Sequence, residues 1–166
     1  MHNLDTLFLD RDGVINKKLE GSYVRNFSEF EFMPGALDAI SKLSKKFKRI
    51  IIVTNQQGIS KGLMSENDLD SLHSKMEESI RNAGGSLAKI YYCPHLDELN
   101  CRCRKPQPGM IEQAIRDFPN IRLEFSYLIG DSKSDIEAGM AMNLNTIKVN
   151  NHYTLAKWTS ELLAVM

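Results

Sequence analysis

The chain has 166 residues, with 42% apolar and 25% charged residues and equal counts of Lys plus Arg and Asp plus Glu, 21 each. That is one domain's worth of chain with enough apolar content for a sizeable core, which excludes a disordered segment and lacks the basic excess of a nucleic-acid module. No apolar run approaches the ~18 residues of a spanning helix, no signal-like segment opens the chain, and the three cysteines sit together between 93 and 103 rather than spread as a disulfide framework, so a reduced, cytoplasmic, monomeric protein without membrane or nucleic-acid partners is expected.

Thr6-Leu7-Phe8-Leu9 is a short apolar run ending at Asp10 and reads as a buried strand. Gly35 opens a helical pattern in which Ala36, Ile40, Leu43 and Phe47 recur on one face. Arg49-Ile50-Ile51-Ile52-Val53 is β-branched, a second buried strand reaching Thr54. Ser65 with Asp68 resembles a capping box, starting a helix with Leu69, Leu72, Met76 and Ile80 on its core face; Gly84-Gly85 stops it. Ala88 to Tyr92 reads as a third strand. Pro108 suits the first turn of a helix carrying Ile111, Ala114, Ile115 and Phe118. Phe125 to Ile129 is the fourth strand, Ser134 begins a short helix, Asn145 to Val149 is the fifth strand, and a last helix falls between Thr154 and Met166. Apolar strands alternating with amphipathic helices predict an α/β, Rossmann-like three-layer sandwich on a central parallel sheet, one domain over 1–166. No internal repeat or low-complexity linker interrupts it.

Polar clusters fall just beyond the strand ends, the edge at which open α/β sheets bind ligands. Asp10-Arg11-Asp12-Gly13 could bring a nucleophilic and a proton-transferring carboxylate together, or form a polar turn. Thr54-Asn55-Gln56-Gln57-Gly58 offers a hydroxyl and backbone donors to a phosphate, or caps the next helix. Arg104-Lys105-Pro106 places an ammonium in an extended segment, or is a solvated basic pair. Gly130-Asp131-Ser132-Lys133-Ser134-Asp135 could hold a hard cation through Asp131; Asp135 reads at least as readily as first-turn helix chemistry. His73 reads as a surface or partly buried helix residue, His2 and His152 carry no motif, and Trp158 suggests packing alone.

In this order, each at a strand end, the four clusters resemble the four motifs of the haloacid dehalogenase superfamily of phosphotransferases. Asp10-x-Asp12-Gly13 resembles the first, and Thr54, Lys105 and Asp131 match the other three.

Cys93-Pro94-His95 and Cys101-Arg102-Cys103 supply three thiols and one imidazole at tight spacing, the donor set of a structural zinc site, although unrelated buried thiols would share the pattern. Zinc there would pin a loop, about 93–103, that has no core of its own. With that loop directly before Arg104-Lys105-Pro106, the segments Leu9 to Asn16, Thr54 to Ile59 and Cys103 to Met110 resemble D-glycero-D-manno-heptose 1,7-bisphosphate 7-phosphatases and their relatives the histidinol-phosphate phosphatases, over about residues 4–149. Gly21-Ser22-Tyr23-Val24 and Phe30-Glu31-Phe32 resemble the heptose group. The sequence departs from it at Lys61, where arginine is usual, at Ser132, where lysine is usual, and in its short spacer between the two zinc pairs.

The resemblance implies a magnesium-dependent phosphatase acting on a phosphosugar. Asp10 would be the nucleophile, Asp12 the acid/base, and Thr54 and Lys105 the phosphoryl holders. Asp10, the Asp12 backbone carbonyl and Asp131 would bind magnesium, and Cys93, His95, Cys101 and Cys103 zinc. Short spacings between motifs leave no room for a large cap. Substrate contacts would then fall to Arg11, Glu20, Gly21, Ser22, Tyr23, Asn55, Gln56, Gln57, Lys61 and Arg104. Histidinol phosphate is the alternative substrate; a non-catalytic zinc-stabilised interaction module is the alternative class.

Overall fold

The computed structural model describes residues 4–166; His2 lies outside them. Five strands form one parallel sheet: β1 (Thr6–Leu9), β2 (Arg49–Asn55), β3 (Lys89–Cys93), β4 (Tyr127–Gly130) and β5 (Asn145–Lys148). Their order across the sheet is β3-β2-β1-β4-β5, so the chain starts in the middle and winds outward in both directions. The helices are α1 (Ala36–Ser44), α2 (Glu66–Asn82), α3 (Gly109–Asp117), α4 (Lys133–Ala141) and α5 (Leu155–Ala164).

Side-chain alternation divides the core in two. Leu7, Leu9, Ile50, Ile52 and Ile129 face α1, α2 and α5, where Ile40, Leu43, Leu72, Met76 and Trp158 cover them. Phe8, Ile51, Val53 and Leu128 face the other way, against Met110, Ile111 and Ala114 of α3 and Ala138 of α4. A strand buried on both faces needs an unbroken apolar run, which is what β1 and β2 supply. Burying each such side chain contributes about 1.5–3 kcal/mol. The three-layer sandwich expected from the sequence is therefore the observed one.

Several boundaries differ. Pro108 is the N-cap of α3 rather than a first-turn residue. Leu123–Phe125 form a 3₁₀ turn, so β4 begins at Tyr127. The fourth helix starts at Lys133 because Ser132, not Ser134, is its cap: the Ser132 side chain accepts from the Asp135 N–H and Asp135 reciprocates. Phe47 lies beyond the end of α1 yet is still buried in the core. The Ser65–Asp68 capping box forms as expected. The segments after β1 and β2 are a long and a shorter loop with one 3₁₀ turn, Phe27–Glu29, and no separate cap among the described residues.

Candidate active site

Every chemical cluster meets at the C-terminal edge of the sheet. β1 and β4 are neighbours, and the Asp10 N–H extends their pairing by donating to the Ile129 carbonyl at 3.0 Å. This sets Asp10 beside Asp131, which follows β4. Gly13 makes the approach feasible: its φ is +87°, and a β-carbon there would collide with the Asp131 carboxylate. Gly130 is similarly constrained, since a β-carbon would run into Asp135.

Lys105 is the hub. It is 4% exposed, and its ammonium donates to Asp10 Oδ1 at 2.9 Å and the Val53 carbonyl at 2.7 Å, with Asp135 Oδ1 at 2.5 Å. Three donors meet three acceptors, so the ammonium is fully used. Asn55 fixes the Lys105 backbone from both sides, accepting from its N–H at 3.0 Å and donating to its carbonyl at 3.2 Å. Burial disfavours the charged lysine, but Asp10 and Asp135 outweigh it and raise its pKa above the ordinary value.

The carboxylates divide into two kinds. Burial pushes the Asp10 pKa well above the ordinary carboxylate value; Lys105 opposes this, while Asp135 and Asp131 add to it. Asp131 is raised as well, chiefly by burial, with Lys18 opposing and Asp135 adding. Burial alone would also raise Asp12, yet Arg11, Asn16 and Gln56 together bring it below its usual value. The three donors lie at 2.8, 2.9 and 2.9 Å. Asp135 is held low in the same way, against burial, by Lys105 and Ser132.

Asp10, Asp131 and Asp135 each offer an oxygen within 4.8 Å of the others. Asp135 is spoken for: Oδ1 meets Lys105, and Oδ2 accepts from the Asp131 and Ser132 N–H groups, each at 3.1 Å. Asp131 Oδ1, by contrast, is buried without a hydrogen-bond partner. An orphaned carboxylate oxygen beside a carboxyl that burial makes hard to ionise fits a hard divalent cation with oxygen ligands.

Around these groups lies a cleft of about 270 Å³. Of the residues expected from the sequence, Asp10, Asp12, Ser22, Tyr23, Asn55, Gln57, Arg104, Lys105 and Asp131 line it. The Tyr23 hydroxyl accepts from Gln57 at 2.9 Å and from Lys61 at 2.7 Å, which fills its lone pairs and leaves its hydrogen to donate. Gln57 also accepts from the Asp97 N–H at 3.3 Å, tying the loop after β2 to the cysteine-rich loop. Arg104 pairs with Asp97 at 3.3 Å, and its Nη1 is buried without a partner.

Five expected substrate contacts are not on the wall. Arg11 is fully buried, turned from the cleft to Asp12 and His73, because a guanidinium at that depth needs acceptors on both ends. Gln56 is buried beneath Asp12 and donates to it. Lys61 reaches the cleft only through Tyr23. Glu20 lines a neighbouring cleft with Lys17, Lys18 and Asn150, and Gly21 lines neither. Thr54 is fully buried too; its Oγ1 accepts from Gln56 at 3.0 Å, which leaves its hydroxyl hydrogen available. Of the expected magnesium ligands, the Asp12 side chain is engaged elsewhere, which leaves only its backbone for that role.

The structure also gives three residues roles that the sequence did not assign. Asp135 closes the capping box of α4, the first-turn role read from the sequence, and also pins Lys105, a role the sequence did not give it. Lys18 lies 3.4 Å from Asp131. His73 is not a surface residue: it is 6% exposed, on the core face with Leu69, Leu72, Met76 and Ile80. A histidine in that apolar stripe was the clue.

At the end of β3, Cys93 Sγ lies 3.5 Å from Cys101 Sγ and 3.6 Å from His95 Nδ1, and Cys103 Sγ lies 3.6 Å from Cys101 Sγ and 3.2 Å from His95 Nδ1. A tetrahedral zinc with Zn–S of ~2.3 Å has ligand–ligand edges of about 3.8 Å. Cys93 and Cys103, with Cα atoms 5.6 Å apart, also meet as a disulfide, leaving Cys101 free. The four donors converge closely enough to hold one metal ion.

A HAD-hydrolase-like family model matches residues 102–162. The chain is 43% identical over 131 residues to D-glycero-alpha-D-manno-heptose-1,7-bisphosphate 7-phosphatase of Mycobacterium bovis, covering 79% of this chain and 69% of that one. It is 39% identical over 143 residues to the corresponding beta-heptose enzyme of Pseudomonas putida, covering 86% and 81%. It superposes with a TM-score of 0.89, at 29% identity, on D,D-heptose 1,7-bisphosphate phosphatase from B. bronchiseptica complexed with magnesium and phosphate, covering 98% of this chain and all of that one. The chain belongs to the heptose-bisphosphate phosphatase family of haloacid dehalogenase-like hydrolases.

Proposed function

We propose that the protein is a single-domain, magnesium-dependent phosphatase that removes the 7-phosphate from D-glycero-D-manno-heptose 1,7-bisphosphate through an aspartyl-phosphate. The observation that carries this is the division of labour between two carboxylates two residues apart. Asp10 is set between Lys105 and Asp131, while Asp12 is gripped by Arg11, Asn16 and Gln56. Relatives named for either anomer are similar to the chain, so the sugar bisphosphate is the shared substrate class.

Asp10 Oδ1 is occupied by the Arg11 N–H and Lys105, both at 2.9 Å, which leaves Oδ2 as the attacking atom. Asp10, the Asp12 carbonyl and Asp131 would hold magnesium, which when bound would supply positive charge that keeps the carboxylates ionised and offsets the phosphoryl oxygens. Asp10 Oδ2 bonds to phosphorus as the bond to the sugar oxygen breaks. Lys105, its three hydrogens already engaged, acts on the phosphoryl group through its charge, and the free Thr54 hydroxyl hydrogen is the donor left beside it. Asp12 gives the departing alkoxide a proton. Asp12 is ionised in the free site and takes that proton up from solvent as the phosphate dianion, a like charge, approaches. Asp12 then takes a proton from the water that hydrolyses the Asp10 phosphate. Tyr23, Ser22, Asn55, Gln57 and Arg104 contact the sugar, and Lys61 orients Tyr23. Cys93, His95, Cys101 and Cys103 would hold structural zinc, which would fix the loop that presents Arg104 and Lys105.

Phosphate release with magnesium from both heptose bisphosphate anomers and from histidinol phosphate tests this reading. A higher kcat/KM for a bisphosphate is expected, since Arg104 lines the cleft with its Nη1 unpartnered and can meet a second phosphate, which histidinol phosphate lacks. A preference for histidinol phosphate would move the protein to the sister group, and no release from any monoester would favour the interaction module.

A further inference from the structure

Arg11 raises a question that the catalytic roles leave open. Its guanidinium is fully buried, directly between the two catalytic aspartates in sequence, and it never reaches the cleft. One terminal nitrogen, Nη2, donates to Asp12 Oδ1 at 2.8 Å. The other, Nη1, lies 3.1 Å from His73 Nε2. Arginine has five donors and no acceptor, so this contact is a hydrogen bond only if His73 Nε2 carries a lone pair. The imidazole is then neutral, with its proton on Nδ1. Burial and the neighbouring Arg11 charge push the His73 pKa down to about 3, in accord with that state.

We infer that His73 is a positioning residue for catalysis: its Nε2 lone pair anchors the far end of the Arg11 guanidinium and so fixes the orientation of Asp12 as acid and base. The inference rests on the phosphatase reading above. A guanidinium is a rigid planar fork, so holding one nitrogen sets the direction of the other. Without an acceptor at Nη1, the buried donor turns toward whichever oxygen or water will satisfy it. Asp12 then keeps only Asn16 and Gln56, two buried loop residues. The face of α2 that carries His73 is otherwise apolar, with Leu69, Leu72, Met76 and Ile80, so no neighbour on that face replaces the lone pair. A surface cleft lined by Asp70, Ser74, Glu77, Ile90 and Tyr92 reaches the imidazole.

The test separates positioning from mere packing. His73→Phe keeps the ring and removes the acceptor; His73→Gln keeps an acceptor at a similar reach. With an alkyl phosphate such as the sugar bisphosphate, His73→Phe is expected to lower kcat roughly tenfold, with KM little changed, a fraction of the 10²–10⁴ that proton transfer supplies. His73→Gln should restore most of it. With 4-nitrophenyl phosphate, whose leaving group departs without a proton, His73→Phe should show a burst of about one nitrophenolate per chain followed by slow turnover, because only hydrolysis of the intermediate needs Asp12. Arg11→Met should cost as much as Arg11→Met with His73→Phe, since both cut one chain of contacts. Wild-type kcat in His73→Phe, equal losses on both substrates without a burst, or losses that multiply in the double variant would each overturn the inference. Ring nitrogen NMR shifts of the wild-type protein give a readout independent of turnover. A protonated Nε2 at neutral pH would exclude the contact even if the phosphatase reading stands; an unprotonated Nε2 in a protein that releases no phosphate would leave the contact intact and reject the reading.

Discussion

Replacing Lys105 by methionine removes the ammonium while keeping most of the side-chain volume. In the native site that ammonium satisfies Asp10, Asp135 and the Val53 carbonyl, with 4% of the residue exposed. The variant keeps three carboxyl groups whose oxygens lie within 4.8 Å and takes away their shared cation. Breaking one side of a buried ion pair costs about 3–5 kcal/mol. For a domain of this size each kcal/mol moves Tm by about 2–4 °C, so a fall of roughly 6–20 °C is expected at pH 7.5 without magnesium. The pH dependence has a definite sign. The Lys105 pKa is raised by folding, so its stabilisation is complete at neutral pH and would be lost only as pH rises through the folded value. Asp10 and Asp131 are raised too, so the folded state binds more protons than the unfolded chain above the ordinary carboxylate range. Removing Lys105 raises them further. The gap between variant and wild type should therefore narrow as pH falls toward 5, and narrow again when magnesium is added. Differential scanning fluorimetry over pH, with and without magnesium, measures both trends. A Tm within about 2 °C of wild type at pH 7.5, or a gap that widens on acidification, would refute the electrostatic account.

Asp10→Asn should abolish phosphate release while the fold melts as a single transition, because an amide neither attacks phosphorus nor ionises; residual wild-type turnover would exclude Asp10 as nucleophile. Cys101→Ser should lower zinc content by metal analysis and loosen the 93–103 loop to hydrogen exchange before the sheet. Stoichiometric zinc in a double substitution of Cys93 and Cys101 would reject the site. His73 has a folded pKa of about 3 against 6.5 when free, so its neutral form stabilises the fold above pH 6.5 and that contribution is lost as pH falls. Between pH 6.5 and 5 the wild type should lose roughly 2 kcal/mol more stability than His73→Gln, measured by urea denaturation at each pH, from about 1.4 kcal/mol per unit of pH. Parallel losses would mean that His73 titrates normally.

The sheet was legible because buried strands announce themselves. Leu7 to Leu9 and Ile50 to Val53 have no polar position on either face, and the clusters at their ends follow from the parallel topology. Helix starts were legible where a side chain closes a local ring, as Ser65 does with Asp68. What stayed hidden was direction. Nothing local distinguishes Arg11, turned inward to Asp12 and His73, from Arg104, which lines the cleft, since both are flexible cations beside a motif residue. Asp135 looked like a helix cap and is one; its second oxygen meets Lys105 across a contact thirty residues long in sequence, which no local pattern encodes. Lys61, expected among the substrate contacts, donates to the Tyr23 hydroxyl, a partner 38 residues away.

The central claim is that Asp10 carries the phosphoryl group during turnover. Asp12→Asn leaves Asp10, Lys105 and Asp131 in place but removes the base that activates water, so an intermediate formed from 4-nitrophenyl phosphate should persist. Acid quenching within the first turnover, in the presence of magnesium, followed by peptide mass analysis, reads the site of phosphorylation. The account predicts close to one phosphate per chain, acid-stable and hydroxylamine-labile, on the peptide containing Asp10. Nitrophenolate release without phosphorylated chain, or phosphate carried by any other residue, would contradict it.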